Sequence, residues 1–187
     1  MSVIVRSEAT KQSFSRILIL IFSLFLIIPC AHADTAVQWV SAGNDAYKLG
    51  NLDLAIMDYT KAIDINPNYA KAYDNRGVAY ARQGSLTRAI DDFTMAIATN
   101  FKDAEAYNNR GHAYEEKGNL TQAVFDYTHA IENNTFYVKA YNNRMYVYYQ
   151  LKEYDKAWAD VHTVEAIGGP QDLNFIQDLK RASGKDK

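Results

Sequence analysis

Ala36, Ala70, Ala104 and Val138 each open a stretch of the same length and pattern, so the chain repeats itself every 34 residues without a slip. A fixed period of this size marks a stacked architecture in which each unit is one supersecondary element unable to bury its apolar face alone. The second stretch reads AKAYDNRGVAYARQGSLTRAIDDFTMAI and the third AEAYNNRGHAYEEKGNLTQAVFDYTHAI. In the second, Tyr73, Gly77 and Tyr80 fall on one stripe of a helix. Gly84-Ser85 breaks that helix, and Leu86, Ala89, Ile90, Phe93 and Ala96 outline another, a pattern the third stretch repeats around Gly118-Asn119. Each stretch is expected to form two antiparallel helices. Gly77 with Ala89, and Gly111 with Ala123, are the small residues that let the paired helices approach. The pairs must stack into a solenoid stabilised by nearest neighbours.

An aromatic near the start of each stretch, a small residue four positions later, a mid-repeat Gly, then Ala, an aromatic and Ala together resemble the tetratricopeptide repeat (TPR) family. The resemblance runs from Ala36 to about Gln171 without insertion. It implies an all-α, right-handed α-solenoid of four helix-turn-helix repeats, over residues 36–69, 70–103, 104–137 and 138–171. The fourth repeat departs from the pattern, with Met145 in place of the small residue and Val161 and Val164 in place of an aromatic and Ala. Gly168-Gly169-Pro170 ends it, and a short capping helix is expected over 171–182, bearing Leu173, Ile176 and Leu179 on one side. Residues 183–187 read as a frayed tail, and the repeat domain as 34–182.

The N-terminal segment has a different composition. Arg6, Lys11 and Arg16 precede an apolar run from Ile17 to Ile28, followed by Pro29, Cys30 and Ala31-His32-Ala33. That order is expected of a cleaved signal peptide over 1–33, with the mature chain starting at Asp34 and exported, to the periplasm if the host is a Gram-negative bacterium. An uncleaved membrane anchor and a lipid on Cys30 are the alternative readings, and only through them would the protein meet a membrane. Cys30 is the single cysteine, so a cleaved chain has no disulfide and no thiolate chemistry. Cleavage removes three basic residues and one acidic residue, moving the formal charge from −2 to −4. A mildly acidic domain lacks the basic footprint of a nucleic-acid binder.

Arg76, Arg110 and Arg144 recur on the first helices, whereas the first repeat has Ala42 there. Asp58, Asp92, Asp126 and Asp160 recur on the second helices. The expectation is an inter-repeat pairing, Asp58–Arg76, Asp92–Arg110 and Asp126–Arg144, which would explain why the first repeat, with nothing before it, needs no Arg.

Opposite the core stripe lie Asn75, Val78 and Arg82, joined by Lys71. The equivalent residues are Glu105, Asn109, His112 and Glu116, then Lys139, Asn143, Tyr146 and Gln150, and in the first repeat Val37, Ser41, Asn44 and Lys48. The family resemblance implies that these first helices line a concave groove for a peptide or protein. Asn75, Asn109 and Asn143 form a row at its centre, and an amide offers both a donor and an acceptor to an extended main chain. Solvation of an exposed helix face is the other reading of that row. Three hydrogen bonds of roughly 0.5–1.5 kcal/mol net each fall short of the −8.2 kcal/mol of micromolar binding. Pockets must add the rest, with Val78, His112, Tyr146 and Tyr149 as candidates beside Asn44. The family's carboxylate clamp is a different mode. Asn44 and Asn75 match its asparagines, but Val40, Glu105 and Asn109 stand where it has Lys, Lys and Arg. Without those cations it is rejected.

His112, His129 and His162 have no partner at a metal-binding spacing such as H-E-x-x-H, and no P-loop, dinucleotide fingerprint or nucleophile elbow occurs. No cofactor and no catalytic activity are expected. The reading is an exported, non-catalytic scaffold that binds a peptide segment or protein partner in its groove. The alternative is a structural assembly subunit acting through its C-terminal helix or convex face.

Overall fold

The computed structural model describes residues 35–184, so the expected signal segment and Cys30 lie outside the described residues, as do 185–187. Helices α1 (Ala36–Lys48), α2 (Leu52–Ile65), α3 (Ala70–Arg82), α4 (Leu86–Thr99), α5 (Ala104–Glu116), α6 (Leu120–Asn133), α7 (Val138–Gln150), α8 (Tyr154–Ala166) and α9 (Leu173–Ser183) follow one another, with no strand among the described residues. Each helix packs against the next in sequence. The fold is an all-α helical-repeat solenoid.

Local chemistry sets the boundaries. Thr35 opens α1 with a capping box, its hydroxyl accepting from the Gln38 amide while the Gln38 side chain accepts from the Thr35 amide. Asn51, Asp103 and Asp172 cap α2, α5 and α9 with side-chain oxygens that accept first-turn N–H groups. The turn inside each pair needs one residue at positive φ. Gly84 and Gly118 supply it at φ 78° and 79°. In the fourth repeat the same position is Lys152, at φ 62°, a conformation that disfavours a side chain.

The intra-repeat contact keeps the close approach expected at Gly111, where a methyl group would lie 3.3 Å from the Ala123 carbonyl oxygen, and adds an aromatic ring to it. A methyl group on Gly77 would lie 2.7 Å from Cε1 of Phe93, and one on Gly111 would lie 2.8 Å from Cε1 of Tyr127. The glycines therefore make room for a whole ring on the partner helix, with Ala89 and Ala123 as its neighbours. The fourth repeat inverts the sizes. Met145 fills the glycine position and Val161 the ring position, and the two belong to one buried cluster. Its irregularity is thus an exchange of large and small side chains between the two facing positions.

The C-terminal helix keeps the register. Phe175 stands 34 residues after Tyr141, and Leu179 stands 34 after Met145. Both are buried with Trp158, Val161 and Ala157, so α9 packs on α8 as each first helix packs on the second helix before it. It starts at Leu173 and continues through Ser183, whose hydroxyl accepts from Trp158 Nε1 at 3.1 Å. Ser183 is therefore helical rather than frayed.

The predicted inter-repeat pairing of arginines and aspartates is incorrect. Arg76 donates through Nε and Nη2 to Asp92, both at 2.8 Å, and Asp92 lies within its own repeat. Arg110 pairs in the same way with Asp126 at 2.8 and 2.7 Å, and Arg144 with Asp160 at 2.9 and 2.7 Å. The inter-repeat leg is the third nitrogen. Nη1 of Arg76, Arg110 and Arg144 donates to the hydroxyls of Thr60, Thr94 and Thr128 on the preceding repeat, at 2.9, 3.1 and 2.9 Å. Each threonine gives its own proton to a carbonyl one turn back, which leaves its oxygen free to accept. Sequence spacing could not choose between the two aspartates because both recur with the same period. Asp58, with Ala42 in the arginine position, is left to Lys61 at 3.7 Å.

Candidate functional site: the first-helix face

The successive first helices pack directly on one another, α1 on α3, α3 on α5 and α5 on α7, whereas successive second helices show no packing of that extent among the described residues. The first-helix side is therefore the inside of the curve. Two cavities adjoin on it. One, of about 160 Å³, is lined by Asn44, Tyr47, Tyr59, Asp74, Asn75, Val78 and Glu105. The other, of about 230 Å³, is lined by Val78, Ala81, Phe93, Asn108, Asn109, His112, Lys139 and Asn143. Val78 is the wall they share.

Six of the eight residues expected in the groove line these two cavities, but Tyr146 and Tyr149 do not. Their rings pack on Phe175 of the C-terminal helix, at centroid distances of 4.3 and 5.5 Å. The Tyr146 hydroxyl also donates to the Asp172 carboxylate. Burial and that carboxylate push the Tyr146 phenol up to about 12. Because α9 occupies the next first-helix position, it uses the surface the two tyrosines would otherwise present. Tyr146 and Gln150, farther along the same stripe, remain exposed outside the two cavities.

The asparagine row is largely committed to structure. Asn109 Nδ2 donates to Asp74 Oδ1 at 3.0 Å and Asn143 Nδ2 to Asn108 Oδ1 at 2.9 Å. Asp74 and Asn108 hold the same position in successive repeats, one residue before Asn75 and Asn109. The first repeat has Val40 at that position, which cannot accept, so Asn75 Nδ2 turns to Asn44 Oδ1 at 2.8 Å. The same Asn44 oxygen accepts from the Tyr59 hydroxyl at 2.8 Å. Burial, with Tyr47 and Asp58 adding to it, raises the Tyr59 phenol to about 12. Each asparagine in the row thus sews its repeat to the one before through its side-chain amide, and all three line the cavities.

Asp74 and Asn108, which the sequence reading passed over, are almost sealed from solvent, at 2% and 1% exposure. Burial pushes the Asp74 carboxyl above the ordinary carboxylate range, against the opposing pull of the Asn109 amide and the Lys71 ammonium. The sequence signal for both was present in Asp74-Asn75, Asn108-Asn109 and Asn142-Asn143, three adjacent polar pairs in a helix at the repeat period. The charges on the face are unevenly matched. Lys71 binds Asp74 at 3.5 Å and Glu105 at 3.2 Å. His112 lies 3.3 Å from Glu116, and Arg82 lies over the Tyr47 ring. Lys139, at the edge of the larger cavity, has no ion-pair partner among the described residues.

Another cavity, of about 420 Å³, lies at the C-terminal end, lined by Lys152, Glu153, Tyr154, Asp155, Lys156 and Ser183. No group of three or more His, Cys, Asp or Glu side chains could hold a metal among the described residues. No described helix is long and apolar enough to cross a membrane.

Comparisons with known proteins agree with this geometry. A family profile described as TPR repeat matches residues 43–84, and one described as tetratricopeptide repeat matches residues 104–134. Among solved structures the chain is similar to the MamA protein, at TM-score 0.70 and 25% identity over 81% of this chain and 84% of that one. It is similar to the first TPR of Spaghetti (RPAP3) bound to the HSP90 peptide SRMEEVD, at TM-score 0.62 and 30% identity over 64% of this chain and 94% of that one. It also resembles the Arabidopsis OM64 TPR domain, at TM-score 0.61 and 27% identity over 63% of this chain and 97% of that one. Among curated proteins none matches the chain.

Proposed function

This chain belongs to the tetratricopeptide repeat family, whose members generally act as non-catalytic scaffolds for protein interaction, and from that premise we propose that it binds an extended peptide segment of a protein partner along its first-helix face. The observation that carries the proposal is the pair of adjoining cavities, separated by Val78 and edged by amide groups with unused hydrogen-bonding capacity. Spaced pockets that take side chains, with amides between them for the main chain, suit an extended segment better than a folded surface. The peptide-bound TPR among its structural relatives supports the same mode. We place the partner outside the cytoplasm, in the periplasm of a Gram-negative host. The support is Arg6, Lys11 and Arg16 followed by the apolar run to Ile28 and Ala31-His32-Ala33. N-terminal sequencing of protein from its native source tests that placement, which requires Asp34 as the first residue.

A second reading, assembly through the outer face, has its own support in Met57, Met95 and Phe125, which are large apolar residues exposed on the second helices. Site-specific photo-crosslinking in native extract separates the two. A photo-reactive amino acid is placed in turn at Val78, His112, Met95 and Phe125. Adducts from Val78 and His112 alone are expected, and adducts from Met95 and Phe125 alone would transfer the function to the outer face.

A further inference from the structure

Seven large apolar side chains among the described residues are more than half exposed, and five of them stand on one edge of the solenoid. It is the edge where each first helix starts and each second helix ends. Val37 and Leu173 lie in the first turns of α1 and α9, Ile65 is the last residue of α2, and Phe101 and Phe136 lie on the loops into α5 and α7. Phe101 is 68% exposed and Phe136 74%. Of the other two, Leu49 is on the opposite edge and Phe125 lies within α6. Apolar residues exposed singly need no explanation, but their gathering on one edge does.

We propose that this edge rests on a lipid bilayer, with Phe101 and Phe136 inserted among the headgroups and Val37, Ile65 and Leu173 beside them. Three observations favour a bilayer over a protein partner. The five residues line none of the three cavities described above. The edge therefore presents separate tips rather than the pockets that anchor a protein, and a fluid interface accepts such tips one by one. Next to one of them, the Lys102 ammonium lies 5.7 Å from the centre of the Phe101 ring, on a stem that lets the charge stay among the headgroups while the ring enters. Finally, Thr35 caps α1 on this edge, and only the six residues 29–34 separate it from the apolar run Ile17–Ile28. A signal segment brings the chain to a membrane, so this is the side of the domain that arrives next to the bilayer. On the edge Asp64, Asp103, Glu105, Glu132, Glu165 and Asp172 outnumber Lys71, Lys102 and Lys139. Insertion, and not attraction to anionic headgroups, therefore carries the contact. Such a contact needs neither an uncleaved anchor nor a lipid on Cys30, and it is independent of the peptide reading of the first-helix face.

The test uses nitrogen-15-labelled protein, with the N-terminus it carries in its native source, and nanodiscs of phosphatidylcholine alone or mixed with phosphatidylglycerol. A gadolinium-chelating lipid in the nanodiscs should broaden the amides of Phe101, Phe136 and Leu173 and leave those of Leu49 and Lys117 sharp. Phe101→Ser combined with Phe136→Ser should weaken binding to phosphatidylcholine about tenfold or more, as the loss of two buried rings requires. Phe125→Ser should leave it unchanged, and phosphatidylglycerol should not strengthen it. Both substituted loop positions are exposed, and an unchanged urea midpoint verifies that the double variant is folded. Broadening centred away from this edge, no broadening at all, an unchanged affinity in the double variant, or binding that depends on phosphatidylglycerol overturns the proposal. A dimer of the native protein that the double variant loses, without nanodisc binding, would assign the edge to a second copy of the chain instead.

Discussion

Replacing the asparagines of the row one at a time should give unequal losses of stability. Alanine at Asn109 removes the amide donor of Asp74, a buried carboxyl whose other partner is Lys71 at 3.5 Å. Hydrogen bonds to charged groups are worth ~1.5–3 kcal/mol. Alanine at Asn143 strands the Asn108 oxygen, and since the Asn108 nitrogen is already unbonded, an entire buried amide loses its partners. Such a loss costs roughly 1–3 kcal/mol. Alanine at Asn75 is the mild case, because the Asn44 oxygen still accepts from the Tyr59 hydroxyl at 2.8 Å. Helix propensity returns up to about 0.7 kcal/mol at each site. The net expectation is about 1–2 kcal/mol for Asn109→Ala and Asn143→Ala, and about 0.5 kcal/mol or less for Asn75→Ala. Urea unfolding at neutral pH with an unchanged m-value measures this directly. A loss at Asn75 as large as at the other two, or three neutral substitutions, would refute the inter-repeat role of the row. Any binding defect of these variants must then be separated from their loss of stability.

Three further outcomes are expected. A double-mutant cycle should couple Arg110 strongly to Asp126 and not to Asp92; Arg110→Met should cost about 3–5 kcal/mol, as breaking a buried pair does, and Thr94→Val about 1 kcal/mol, both read from denaturant curves. Gly77→Met should cost about 1–3 kcal/mol by overpacking against Phe93, and Phe93→Val a comparable amount through the cavity it leaves. The double variant, which copies Met145 with Val161, should recover much of both losses, whereas additive losses would contradict the size exchange. Because burial raises the folded-state carboxyl of Asp74 above its unfolded value, that residue favours folding when protonated and disfavours it as pH rises through the folded value. Asp74→Asn, which reproduces the Asn108–Asn143 pair one repeat earlier, should therefore stabilise the protein at neutral pH. The advantage should shrink on acidification toward the ordinary carboxylate range, and an advantage that grows in acid would contradict the assignment.

The period of the chain made the fold legible because side chains that recur at one spacing must recur in one environment. The helix pairs, the order of packing and the face formed by first helices all follow from that rule. Periodicity says less about which of two equally periodic partners a side chain meets. Arg76 stands at a constant offset from both Asp58 and Asp92, and only the depth of the helix pair decides for Asp92. Thr60, Thr94 and Thr128 carried the missing inter-repeat signal, but a threonine in a helix draws no attention until its hydroxyl is seen to accept. The same limit explains the groove. Asn75, Asn109 and Asn143 were readable as a row, but their acceptors were not, because Asp74 and Asn108 are polar residues at buried positions. Tyr146 and Tyr149 were expected to form binding pockets, but their rings pack on Phe175 instead, with Tyr146 still 36% exposed. Phe175 and Leu179 keep the repeat register in α9, so the capping helix covers what a further first helix would cover.

The central claim is that the first-helix face binds an extended peptide, and the most direct test is to map where a selected peptide sits. A random extended-peptide display library is screened against the protein, and the tightest binder is titrated into nitrogen-15-labelled protein. Shifts confined to the first helices are expected, including Val78, His112, Lys139 and Asn143, with Met57, Met95 and Phe125 unmoved. Shifts centred on those three residues, or on α9, would contradict it.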